Sequence, residues 1–176
     1  MEAGHSETFC ANGPRWLGSS PLSRPDLDGE IVNGVHVMPV RVYYEDTDFS
    51  GVVYHASYLR FMERGRTNYL RLLGADQRAL FDEARKEAPG FAFVVRSMSI
   101  EFLAPARMSD LLEVETEPDE IKGASITLRQ RVTCGGDTLV EAQVRVAFVS
   151  EGRARPIPMP LRQAMQADRD SMLDRG

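Results

Sequence analysis

The polarity pattern of the chain changes at Val35, where apolar and polar side chains begin to alternate. The segment VHVMPVRVYYED, residues 35 to 46, has the two-residue period of a half-buried strand, with Val40, Val42 and Tyr44 on one face. The sequence therefore predicts a first strand that starts at Val35.

A three- to four-residue period follows and predicts a long buried helix over residues 54 to 73. Gly74 comes next, and glycine often ends helices because it readily adopts the left-handed conformation. A shorter, more charged helix is predicted over DQRALFDEARKEA, residues 76 to 88. The apolar positions of the long helix are Tyr58, Phe61, Met62, Gly65, Tyr69, Leu72 and Leu73.

The second half of the chain returns to alternation and is rich in β-branched residues. Turn residues divide it into four segments, which predict four consecutive strands in a meander. Together with the first strand they make an α+β fold, in which an antiparallel five-stranded sheet needs the long helix to cover its apolar face. The four segments are FAFVVRSMSIEFLA, DLLEVETEPDE, ASITLRQRVTC and TLVEAQVRVAFVS.

Three regions are expected along the chain. Residues 1–34 are predicted to be a disordered leader, because the first 30 contain eleven Gly, Pro or Ser residues and almost no hydrophobic periodicity. Residues 35–155 hold the strands and the long helix, and are the predicted folded domain. Residues 156–176 form a tail in which a last helix is expected near Pro160.

Composition narrows the possible partners and the compartment. The net charge of −5 and the lack of a basic block argue against nucleic acid. The sequence contains no run of about 18 apolar residues, so no transmembrane segment is predicted. The N-terminus also lacks the pattern of a signal peptide. Cys10 and Cys134 lie far apart without metal-ligand spacing, which favours a reducing, cytoplasmic location and gives no metal site.

The acidic segment EDTDFSG, residues 45 to 51, lies between the first strand and the long helix. Its acids fit the first positions of a calcium loop, but Ser57 stands where such a loop needs a bidentate Glu. An Asp-x-Asp after a strand also begins haloacid-dehalogenase-like phosphatases, but those folds alternate strands and helices throughout. Both interpretations are disfavoured.

Acyl transfer suits the position of this segment better. The first backbone N–H groups of a helix have no intrahelical acceptor, and the helix dipole adds partial positive charge there. Such an end can stabilise an oxyanion while a neighbouring carboxylate attacks a carbonyl carbon or activates water. Gly51 would let the backbone approach a ligand closely.

The stretch VRVYYEDTDFSGVVYHASYLRFMERGRTNYLR closely resembles the opening of the YbgC-like acyl-CoA thioesterases, relatives of hydroxybenzoyl-CoA thioesterase in the hotdog-fold superfamily. AFVVRSMSIEFLAPARMSDLLEVET and KGASITLRQRV extend the likeness over roughly residues 37 to 155. The resemblance implies a hotdog fold, in which the sheet wraps the central helix, and assembly as a homodimer or homotetramer. It implies an acyl-CoA substrate, with an acyl carrier protein thioester as the other possible acyl donor, and no cofactor.

The same resemblance assigns roles to residues. It makes Asp48 the catalytic carboxylate, either as nucleophile or as general base, and gives the main chain at His55 the task of polarising the thioester carbonyl. Whether the His55 ring takes part is left open, and Tyr54 is a candidate substrate contact. The turn with Lys122, Gly123 and Ser125 is the candidate site for the nucleotide end of coenzyme A, although only Lys122 there is cationic.

Two other functions are weighed against hydrolysis, and one of them remains as an alternative. The fold could serve as a non-catalytic acyl-binding or scaffold module for envelope or lipid-synthesis proteins, since a fold alone does not fix function. A hotdog hydratase would need a histidine-centred base in a different loop pattern, which the sequence does not have.

Overall fold

The computed structural model describes residues 27–75 and 91–173. Most of the predicted leader and the predicted second helix, residues 76 to 88, lie outside the described residues. The elements in chain order are β1 (Glu30–Val32), β2 (Val35–Arg41), a short 3-10 turn (Tyr44–Asp46), α1 (His55–Ala75), β3 (Ala92–Phe102), β4 (Leu111–Lys122), β5 (Ser125–Cys134), β6 (Asp137–Ser150), β7 (Arg153–Ala154) and α2 (Met159–Leu173).

All neighbouring strands of the sheet are antiparallel, in the order β1-β2-β4-β5-β6-β3, and β7 pairs with the end of β6. The five long strands are those predicted from the alternation. The prediction of an α+β fold with an antiparallel sheet around a long central helix is therefore confirmed. The short strands β1 and β7 add to the five, and β1 falls inside the segment predicted to be a leader.

The predicted meander is wrong for β3, which pairs with β6 and not with β4. Residues 103–110 carry the chain from β3 across the end of the sheet to β4. The amides of Leu103 and Ala104 donate to the carbonyl of Leu139, at 2.8 and 3.1 Å, and Val42 N–H donates to Asp110 O at 2.9 Å. Because the chain crosses over in this way, β3 becomes an outer strand of the sheet.

The apolar face of α1 packs on the sheet as its period predicted. Phe61, Met62 and Tyr69 are completely buried. Gly65 lets the helix approach β4 closely, since a Cβ at this position would lie 2.9 Å from Val114 Cγ1. The helix also continues to Ala75, one residue beyond the predicted stop at Gly74.

A buried polar cluster beside Gly65 also holds α1 to the sheet. The amide nitrogen of Gln130 donates to Met62 O at 2.9 Å and to Thr116 Oγ1 at 2.8 Å, while its oxygen accepts from Arg66 at 2.7 Å. Buried polar groups with satisfied hydrogen bonds specify one arrangement of the groups around them. The helix is therefore fixed both by shape and by hydrogen bonding.

The C-terminal helix α2 packs beside α1. Its Leu161 and Met165 are buried in the same core, and Tyr69 Oη donates to Asp168 Oδ2 at 2.9 Å. Burial raises the pKa of the Asp168 carboxyl, and the hydrogen bond from Tyr69 opposes that shift. A polar contact therefore joins two helices that are otherwise held by apolar packing.

Tyr44 was expected on the buried face of the first strand. It lies in the 3-10 turn and is exposed, because the strand ends at Arg41. Cys134 is disulfide-bonded, so the cysteine spacing gives no support for a reducing compartment.

Among the helices of residues 27–75 and 91–173, none combines the length and the apolar character needed to cross a membrane.

Candidate active site

Asp46 anchors the loop that joins β2 to α1. Its carboxylate is buried and accepts a hydrogen bond from Tyr43 N–H at 2.9 Å. Its carbonyl accepts from Tyr54 N–H at 2.9 Å and from the Ser57 hydroxyl at 3.1 Å. This buried acid therefore holds the loop against the first turn of the helix.

Asp48, by contrast, is exposed at the tip of the loop. Its Oδ1 accepts two hydrogen bonds from Ser50, one from the hydroxyl at 2.5 Å and one from the backbone N–H at 2.8 Å. The Ser50 hydroxyl, followed by the Ser50 amide, lowers the pKa of the Asp48 carboxyl below its usual range. Among the described residues nothing donates to Oδ2, so one carboxylate oxygen is fixed and the other is available.

A tight turn brings the two sides of the loop together. Gly51 N–H donates to Asp48 O at 3.0 Å, and Asp48 N–H donates to Val52 O at 2.9 Å. Gly51 has φ +78°, a left-handed conformation that side chains other than glycine rarely adopt. Val53 N–H then donates to Ala106 O at 2.8 Å, which ties the loop to the connection after β3.

The start of α1 has two free amides. Tyr54 N–H donates to Asp46 O and Ser57 N–H donates to Tyr54 O, both within the loop and first turn. Between them, the N–H groups of His55 and Ala56 have no acceptor among the described residues. A helix start of this kind has the donors and the partial positive charge that suit an oxyanion.

The side chains at this helix end are mostly aromatic. The His55 ring lies against Tyr54, with ring centroids 4.3 Å apart, and meets the edge of Phe102 at 6.3 Å. His55 and Tyr54 are both exposed. The imidazole therefore makes ring contacts, and no hydrogen bond of this ring is found among the described residues.

Exposed apolar side chains surround the loop. Phe49 follows Asp48, Phe102 contacts His55, and Met108 follows Arg107, whose backbone bridges to Val52. Phe49 is fully exposed, and about half of the surface of Phe102 and of Met108 is accessible. The acid and the helix start therefore lie beside an apolar surface of the kind that an acyl group can contact.

The other predicted binding residues lie at the opposite end of the sheet. Leu111 marks the end near the start of α1, and Lys122 follows eleven residues later on β4, which is on the order of 30 Å away. The Lys122 ammonium lies 2.9 Å from Glu120 Oε2, and Gly123 O accepts from Ile157 N–H at 2.8 Å. Ser125 begins β5 just beyond. One chain therefore does not bring these residues to Asp48.

The sequence alone did not identify Ser50 as a functional candidate. An Asp followed two residues later by Ser in a turn favours the hydrogen bond from the Ser amide to the Asp side chain, so the signal was present. Asp46 and Asp48 are held by different partners, and no group of three potential metal ligands occurs in residues 27–75 and 91–173. The calcium interpretation gains nothing from the geometry.

Comparison with known proteins gives the same fold and a family. The family model described as thioesterase superfamily matches residues 50–141. A solved probable thioesterase from Bartonella henselae shares 39% sequence identity and a TM-score of 0.59, covering 70% of this chain and 98% of that one.

Similarity to curated proteins is higher still. The acyl-CoA thioesterase YbgC of Haemophilus influenzae is 48% identical over 122 residues, which are 69% of this chain and 86% of that protein. The acyl-CoA thioester hydrolase YbgC of Escherichia coli O6:H1 is 47% identical over 123 residues, 69% of this chain and 87% of that protein. The chain therefore belongs to the thioesterase superfamily, as a relative of the YbgC acyl-CoA thioesterases.

Proposed function

We propose that this protein hydrolyses acyl-CoA thioesters to a free acid and a thiol, with Asp48 as the catalytic carboxylate. The supporting observation is the exposed Asp48 side chain, whose Oδ1 is fixed by Ser50, near a helix start with two free amides. Asp48 N–H donates to Val52 O, and Val52 lies three residues before His55, so the acid and the helix start belong to one short loop. The names of the YbgC relatives support coenzyme A as the thiol carrier.

In the reaction, the thioester oxygen accepts hydrogen bonds from the amides of His55 and Ala56. Oδ2 of Asp48 either removes a proton from water, whose oxygen attacks the carbonyl carbon, or attacks that carbon itself. The amides stabilise the tetrahedral oxyanion. When the C–S bond breaks, the thiolate leaves and takes up a proton, and in the direct-attack route water then hydrolyses the acyl-aspartyl anhydride.

The imidazole of His55 has a positioning role in this proposal. Its contacts with Tyr54 and Phe102 are ring contacts, so the ring helps to form an apolar wall beside the carbonyl. Tyr54 supplies the exposed part of the same wall. The proton transfers are assigned to Asp48 and to water.

A second copy of the chain completes the site. The β3 strand lies at the edge of the sheet, and Val94 and Val95 on it are nearly half exposed. If two copies pair antiparallel along β3, the Lys122 end of one sheet comes beside the Asp48 end of the other. Lys122, Gly123 and Ser125 of one copy can then contact the nucleotide end of a coenzyme A whose thioester lies at the other copy. A homodimer is the smallest assembly that meets this requirement, and a homotetramer would contain two of them.

The experiment that tests the function is a thiol-release assay on a panel of acyl-CoAs of increasing chain length, with acyl carrier protein thioesters as a second arm. Release of free thiol, detected with a thiol reagent, is expected for at least one acyl-CoA without any added metal or cofactor. Release only from the carrier-protein thioesters would keep the reaction and change the carrier. No release from any substrate by folded protein would reject the enzyme and favour the acyl-binding module. The proposed location of the reaction is the cytoplasm, because the substrate is a coenzyme A thioester; the disulfide at Cys134 gives this location no support.

A further inference from the structure

The outer face of the sheet, opposite α1, carries rows of charged side chains that mostly neutralise one another. Arg129 contacts Glu117 at 3.0 Å and Asp119 at 3.1 Å. Arg131 contacts Glu115 at 2.6 Å. Each of these arginines on β5 therefore has a carboxylate from β4 beside it, as expected for opposite charges on adjacent strands.

Arg145 on β6 differs from these two. Its neighbours in register are Ser97 on β3 and Thr127 on β5, so both adjacent strands offer it a hydroxyl group and no carboxylate. No ion pair or hydrogen bond of the Arg145 guanidinium is found within the part of the chain that the structure describes. A guanidinium has five N–H donors arranged as a fork, and none of those of Arg145 has an acceptor among residues 27–75 and 91–173.

The side chain of Arg145 lines a hollow of about 360 Å³ on this face. Ser97, Ser99 and Thr127 add three hydroxyl groups, and Lys122 adds a second cation. Among the described residues that line the hollow, Glu120 is the one carboxylate, and it contacts Lys122 at 2.9 Å. The lining therefore keeps one positive charge in excess, on a chain whose net charge is −5.

A guanidinium fork with several hydroxyl donors and a nearby ammonium group is suited to phosphate oxygens. The volume falls in the range of small-molecule sites. Ser97 lies five residues from Phe102 along β3, which is about 17 Å, so the hollow is separate from the Asp48 loop of the same chain.

We propose that this hollow binds a phosphate-bearing ligand, with Arg145 as the main anion contact and Lys122 as the second. Two sources have this chemistry: the nucleotide end of a coenzyme A thioester, and a free nucleotide. The first source rests on the proposed thioesterase function, whereas binding of phosphate by the hollow does not. The proposal adds to the predicted Lys122 turn the arginine that the turn itself lacks.

The test is equilibrium binding of adenosine 3′,5′-bisphosphate to the full chain, measured by titration calorimetry. Arg145→Gln is expected to weaken binding at least about tenfold, because it removes a charged donor from the contact. Arg129→Gln is the matched control, since it removes an arginine from the same face that already has carboxylate partners. Equal binding by Arg145→Gln and the unchanged protein, equal losses in both variants, or no binding to the unchanged protein would each overturn the proposal.

Kinetics then distinguish the two sources. If the hollow holds the nucleotide of the substrate, Arg145→Gln raises KM for an acyl-CoA and leaves KM for the matching acyl-pantetheine unchanged. Loss of bisphosphate binding with an unchanged KM for acyl-CoA supports the site and identifies a free nucleotide as its ligand. If no thioester is hydrolysed at all, the proposed function fails, and the calorimetry still decides whether the hollow binds phosphate.

Discussion

Ser50 donates two hydrogen bonds to the same oxygen of Asp48, from its hydroxyl at 2.5 Å and from its backbone N–H at 2.8 Å. Oδ1 is thereby fixed in the loop that precedes α1, and Oδ2 accepts no hydrogen bond from the described residues. Hydrogen bonds to a carboxylate favour its ionised form, so one residue both orients the proposed catalytic acid and keeps it charged.

Replacing Asp48 by Asn should lower turnover of acyl-CoA by at least about a hundredfold, because an amide is neither a base nor a nucleophile of comparable strength. The side-chain oxygen of Asn can still accept from Ser50, so the loop is expected to keep its shape. Steady-state thiol release measures the effect. Glu45→Gln, which changes an exposed neighbouring acid, serves as the control and should retain near-normal turnover. A folded Asp48→Asn protein with ordinary activity would remove Asp48 from the mechanism.

Ser50→Ala should shift the acidic limb of the pH–rate profile to higher pH. The Ser50 hydroxyl is the largest cause of the lowered pKa of Asp48, so its loss raises that pKa and the carboxylate becomes protonated at a higher pH. The pH dependence of kcat/KM between acid and neutral pH measures this shift, and Ser50→Thr, which keeps a hydroxyl, should largely restore the original profile. Identical profiles for Ser50→Ala and the unchanged protein would count against the positioning role.

The same lowered pKa has a consequence for stability. The Ser50 contacts stabilise the fold at pH values above the pKa of Asp48 in the unfolded chain, and that contribution is lost as the pH falls through the lower pKa of the folded state. Because Asp48 is fully exposed, the effect on unfolding is expected to be small. The kinetic profile is therefore the more sensitive measurement.

Gly51→Ala should reduce the free energy of unfolding by about 1 kcal/mol, because Gly51 has φ +78° and an alanine there is strained even though the space is open. Gly123→Ala is the matched control: its Cβ would also meet nothing within 4 Å, and its φ is outside the left-handed region. That variant should change stability by less than about 0.5 kcal/mol. Urea denaturation of both proteins makes the comparison, and equal stabilities would contradict a conformational requirement at Gly51.

Gly65→Ala should destabilise the protein by about 1–3 kcal/mol, although alanine is the better helix former, because the added Cβ would lie 2.9 Å from Val114 Cγ1 and 3.0 Å from Thr116 Oγ1. Val114→Ala removes one of these obstacles. In a double-mutant cycle, the two substitutions together should therefore cost less than the sum of their separate effects. A stabilising effect of Gly65→Ala, as helix propensity alone would give, would show that the helix has room to move from the sheet.

The elements of the fold could be predicted because their periods are local. The alternation in β4, β5 and β6 and the three- to four-residue spacing in α1 depend only on which side of a strand or helix faces the core. The strand order could not be read in this way. The partner of β3 is decided by the crossing of residues 103–110 over the end of the sheet, which brings together segments distant in sequence.

In the candidate site, too, some features follow from the local sequence and others depend on tertiary packing. The sequence alone put Asp48, Gly51 and His55 in one short loop before a helix, since their proximity follows from chain connectivity. Only the tertiary structure decided that Asp46 is buried and Asp48 exposed, that Ser50 holds the carboxylate, and that Lys122 lies at the far end of the sheet with Arg145. Burial and long-range neighbours depend on how the strands pack around α1, and no local period in a sequence carries that information.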